Sequence, residues 1–121
     1  MADYIATYKR LLQEGAELFE KVLLLYIPDR HADNDWADVT VVEARAKRNG
    51  LLERLASPPA EITPENTAPV MLTIGRFIDG HWADYQEFPT ANPEKRAEVE
   101  RLHAALEAVA SGFGNLCNAV C

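Results

Sequence analysis

Apolar side chains return every third or fourth residue along most of this chain, the step at which a helix brings residues to one face. The cleanest run is Val99, Leu102, Leu106, Val109, Phe113, Leu116 and Val120. A second run, Ile5, Tyr8, Leu12, Gly15, Phe19, Val22 and Tyr26, is widened by Tyr4, Leu11, Leu18 and Leu25 at seven-residue spacing. A third passes through Met71, Ile74, Ile78, His81, Tyr85 and Phe88. Lys9, Arg10, Gln13, Glu14, Glu17, Glu20 and Lys21 occupy the back of the second run. Faces of this kind must pack on one another, so the pattern predicts an all-α, single-domain four-helix bundle over residues 1–121.

Boundary signals place the helices at about 3–26, 36–55, 69–87 and 93–120. Asp3 is a suitable first N-cap, and Pro28 disfavours helical backbone at Ile27. Asp35, Trp36 and Asp38 read as cap and acidic first turn of the second helix, where the helix dipole favours negative charge. Within it, Val39, Val41 and Val42 favour strand, while Glu43 to Arg48 favours helix, and the helix prevails. Asn49-Gly50 is a weak point there, and Ser57-Pro58-Pro59 is a firm stop. Thr63-Pro64-Glu65 and Asn92-Pro93-Glu94 each set a cap before a proline, a start signal. Pro69 conflicts with the first of these, so a short turn at 64–67 is expected before the main third helix. The connections favour antiparallel neighbours, up-down-up-down.

Composition narrows the partners. The 121 residues carry a formal charge of −7, which disfavours a nucleic-acid backbone and suits a basic protein surface or a cationic ligand. No apolar run reaches the ~18 residues of a membrane span, and the first residues lack the basic and apolar regions of a secretory signal. Cys117 and Cys121, four apart, do not have a usual zinc or redox spacing, and a reduced, cytoplasmic protein is expected.

Candidate chemistry is sparse. His81 lies on the apolar stripe of the third run, where it is either a neutral core histidine or a base, ligand or switch. Arg76-Phe-Ile-Asp-Gly-His81 resembles the motif of HEPN ribonucleases, an Arg and a His with four to six residues between them. That resemblance implies an all-helical domain cleaving RNA with Arg76 and His81, typically across a dimer. Phe77 stands where the family usually has a small polar residue, and Arg96 to His103 repeats the spacing. His31, Asp33, Asp35 and Asp38 could offer metal ligands, but the central glycine and closing glutamate of a calcium loop are missing. Glu100-Arg-Leu-His103 has the spelling of a di-iron ligand pair without the supporting inward glutamates. Neither a cofactor nor a bound metal is expected, although a ligand- or metal-binding bundle stays an alternative.

Residues 108–121 contain no charge at all, where a surface helix normally has a charged back. Gly112 and Gly114 each lower helix propensity by about 1 kcal/mol against Ala, which close helix packing would offset. Ala110, Phe113, Gly114, Cys117 and Val120 are therefore the expected interface, with Ala119 permitting close approach. The function expected from these features is protein–protein binding by a regulatory or adaptor module, acting as a homo-oligomer. A small-molecule ligand is the second possibility for a partner.

Overall fold

The computed structural model of the protein describes residues 3–26, 35–78 and 96–120, with backbone alone for 25–26 and 35–41. Four helices follow one another: α1 (Tyr4–Tyr26), α2 (Asp35–Ala56), α3 (Pro64–Arg76) and α4 (Arg96–Val120). Among the described residues there is no strand. The valines at 39, 41 and 42 are helical, so the strong helix formers after them outweigh their β preference. Asn49-Gly50 does not interrupt α2, which ends just before Ser57-Pro58-Pro59.

Local caps explain the starts. The Asp3 carboxylate accepts from the Ala6 backbone N–H at 2.9 Å, satisfying one of the open donors of the first turn. At α3, the Thr63 backbone N–H donates to Asn66 Oδ1 at 3.0 Å, and Asn66 Nδ2 donates to the Glu61 carbonyl at 2.8 Å. That cap corrects the expectation of a separate turn at 64–67 and a third helix from Pro69. One continuous helix begins at Pro64 and carries Pro69 inside it. Pro69 lies on the exposed face, so the Glu65 carbonyl that loses its donor there can turn to water. Beyond Arg76 the backbone stays helical through Phe77 and Ile78. The expected end of that helix at 87, the start of the last at 93, and His81, Tyr85 and Phe88 lie outside the described residues.

The apolar runs become one core drawn from all four helices. Tyr8, Leu12, Phe19 and Val22 of α1, Ile74 of α3, and Val99, Leu102, Leu106, Val109, Phe113 and Leu116 of α4 are buried. Two edge-to-face ring pairs tie the elements: Tyr8 with Phe113 at 5.6 Å and Phe19 with Phe77 at 5.1 Å. The Tyr8 hydroxyl donates to the Asn66 carbonyl at 2.8 Å, which keeps its polar tip satisfied beside the core. Thr67, buried and polar, is likewise satisfied, donating to the Thr63 carbonyl at 2.8 Å.

Packing between helices is uneven. Helix α1 lies along α2 and along α4, and α3 lies along α4, while α2 and α3 barely touch. The close approaches of α1 depend on two glycines. A Cβ placed on Gly15 would stand 2.9 Å from Leu51 Cδ1 and 3.5 Å from Val109 Cγ1. One placed on Gly112 would stand 2.8 Å from Leu11 Cδ2. The order of contacts also gives direction. Tyr8 meets Phe113 while Gly15 faces Val109, and Gly15 faces Leu51 while Glu20 pairs with Arg48 at 2.5 Å. In both pairs the partner number falls as the α1 number rises, as in antiparallel neighbours.

Candidate functional site

Of the two helix pairs that flank α4, the α3 side leaves an uncharged groove. Thr67, Ala68 and Met71 of α3 and Gly114, Cys117 and Asn118 of α4 form its walls, with Phe113 beneath, around about 270 Å³. Helical spacing sets these positions: 68 and 71, and 114, 117 and 118, return to one side of their helices. A Cβ on Gly114 would approach Met71 Sδ to 3.2 Å, so the glycine lets α3 and α4 close on each other. One turn beyond Ala68, Leu72 is 51% exposed, and Ser111, Asn115, Asn118 and Ala119 face solvent on α4. Glu65 and Arg76 are the charged residues of α3, near its two ends.

The five residues expected at an interface do not share one surface. Phe113 is fully buried against Tyr8, inside the chain's own core. Ala110 is partly buried against that core. Gly114 and Cys117 line the α3–α4 groove. Val120, 39% exposed, belongs instead to the end of the bundle, where it lines a hollow with Tyr4, Ile5 and Ile62. The surface that does form takes in Ala68, Met71 and Leu72, which the sequence did not mark. Their helix carried the signal, since 66–75 is also free of charge, but only the packing of α3 on α4 joins the two stretches.

The remaining candidates separate. Arg76 is exposed at the end of α3, and its partner in the ribonuclease resemblance, His81, lies outside the described residues. Arg96 and His103, the second pair at that spacing, are occupied on α4 by i,i+4 partners: Arg96 with Glu100 at 3.4 Å and His103 with Glu107 at 3.0 Å. Glu100 and His103 therefore face solvent with their own partners and do not converge on a ligand position. Of the acidic loop, His31 and Asp33 and the side chains of Asp35 and Asp38 lie outside the described residues. Among the described residues no group of three or more His, Cys, Asp or Glu side chains is placed to hold a metal ion. No described helix is long and apolar enough to cross a membrane.

Two further grooves open among the described residues. One runs between α1 and α4, with Arg10, Glu14, Glu17 and Lys21 along its α1 rim and Ala105, Ala108 and Gly112 opposite. Its rim charges are mutually compensated in part, Arg10 facing Glu14 at 3.6 Å. The other opens where α2 and α3 fail to pack, and Lys47 and Arg54 border it. No protein family, no curated protein and no solved structure matches this chain.

Proposed function

We propose that this chain is a binding module, regulatory or adaptor in kind, that works as a homodimer through the uncharged face of α3 and α4. The observation that carries the reading is the contrast between this face and the rest of the molecule. The chain has a formal charge of −7, so two copies repel wherever their acidic surfaces approach. Ala68, Met71, Leu72, Gly114, Cys117 and Asn118 offer a place where that repulsion is least and apolar area is available to bury. A two-fold pairing of one patch with itself is the commonest closed arrangement for soluble proteins. A cytoplasmic setting, in which thiols such as that of Cys117 stay reduced, goes with this reading.

Light scattering at micromolar concentration tests this directly. The wild-type mass is expected to be that of two chains of 13.5 kDa. Leu72→Glu and Asn118→Glu, both at exposed positions, are expected to return the mass to one chain with the helical circular dichroism unchanged. A wild-type mass of one chain across the concentration range defeats the proposal.

A further inference from the structure

Helix α2 presents an unusual stripe toward α3. Lys47, Gly50, Leu51 and Arg54 recur at helical spacing on the side where a bundle helix ordinarily supplies apolar seam residues. Leu51 turns its Cδ1 to Gly15 of α1, leaving two cations and a glycine opposite Val70 and Thr73. This is why α2 and α3 touch so little, and a cavity of about 240 Å³ remains between them.

Gly50 sharpens the point. Gly15 and Gly112 are required by close neighbours, but a Cβ on Gly50 would meet nothing within 4 Å. Internal packing gives no reason for a residue that weakens α2, yet its bare backbone widens the groove for an occupant. Charge supplies the second observation. Arg45, Lys47, Arg48 and Arg54 fall within ten residues of an otherwise acidic chain, with Glu53 the one acid among them. Arg48 is engaged by Glu20 at 2.5 Å, and Lys47 by Glu43 at 3.7 Å. Arg54 has no ion pair among the described residues, so one positive charge at the groove is left uncompensated.

We propose that the α2–α3 groove binds a small aliphatic carboxylate, its chain against Ala46, Gly50 and Thr73 above the buried Leu51 and Val70 and its carboxylate at Arg54, with Lys47 beside it. One uncompensated cation calls for a monoanion, and a cavity below the ~300 Å³ of drug-sized sites calls for a short one. The guanidinium fork matches both carboxylate oxygens, and the low, apolar floor excludes water from one side of that contact. The site lies on a different helix pair from the α3–α4 face and stands whether or not the chain dimerises.

Octanoate titrated into the full chain, followed by calorimetry and by amide chemical shifts, is the test. Saturable one-to-one binding is expected, with shifts centred on residues 46–54 and 70–73. Octanol is expected to bind about fivefold more weakly or worse, and Arg54→Ala to weaken octanoate by about the same factor, as loss of one partly exposed charge contact implies. Gly50→Leu fills the groove and is expected to abolish binding without lowering the melting temperature. Absence of saturable binding overturns the proposal, as does equal affinity for octanol and octanoate. So does octanoate binding left intact by both Arg54→Ala and Gly50→Leu. Arg54→Ala alters an exposed side chain, so it keeps the test decisive even if Gly50→Leu misfolds.

Discussion

Phe113→Ala is expected to lower the free energy of unfolding by about 3–5 kcal/mol, the range for a large aromatic removed from a core. The ring is wholly shielded and meets Tyr8 edge-on at an interplanar angle of 78°. Its loss removes the buried area, the ring pair worth about 0.5–1.5 kcal/mol beyond area, and the filling of the α1–α3–α4 junction. Collapse can recover little, because Tyr8 is held by its hydrogen bond to the Asn66 carbonyl and α4 by Gly112 against Leu11. Urea unfolding followed by circular dichroism measures the change. Ser111→Ala, an exposed position on the same helix, serves as control and is expected within about 0.5 kcal/mol of wild type. A loss below about 1 kcal/mol for Phe113→Ala is incompatible with the core described above.

Gly15→Leu is expected to cost about 3 kcal/mol by overpacking, toward the upper end for an enlarged core residue. A single added carbon already comes within 2.9 Å of Leu51, 3.5 Å of Val109 and 4.0 Å of Ile74. Those three neighbours belong to α2, α4 and α3, so a leucine at 15 pushes on every other helix at once. Leu51→Ala in the same chain vacates the nearest contact, and the pair is expected to be less unstable than the two single changes summed. Gly50→Ala gives the contrasting result. With open space around it, the added methyl is expected to stabilise α2 by about 0.4–1 kcal/mol. Denaturation midpoints of the four variants decide the matter: additivity of Gly15→Leu with Leu51→Ala contradicts the contact.

The seam of α4 was legible in the sequence almost residue by residue, because its apolar positions are separated by charged or small ones. Val99 through Leu116 are all buried, and Val120, where the seam runs off the end of the bundle, is not. Helix α3 was harder. Val70 and Met71 are both apolar, and the periodicity places Met71 on the stripe, whereas the structure buries Val70 and leaves Met71 half-covered. Phe77 was missed for the same reason, beside the equally apolar Ile78. The sequence places the start of α3 too late because Pro69 counts against helix there, whereas its position on the solvent side makes it tolerable. The helical state of α2 was legible from Glu43 to Arg48, but not which side of it faces a neighbour. That face is set by tertiary packing, so neither the α2–α3 groove nor the joining of two uncharged stretches into one surface could be read beforehand.

The sparse meeting of α2 and α3 has a consequence for how the molecule opens. Helix α2 is fastened along one flank, to α1, and α3 along one, to α4, while α1 and α4 are each gripped on two. Buried contacts set the free energy of local opening, and among the described side chains of α2 only Ala44 and Leu51 are buried, so α2 detaches at less expense than α1 or α4. Amide hydrogens of residues 42–56 are therefore expected to exchange through an opening of lower free energy than those at the centres of α1 and α4. Equal protection across all three helices would show instead that the bundle opens as one unit.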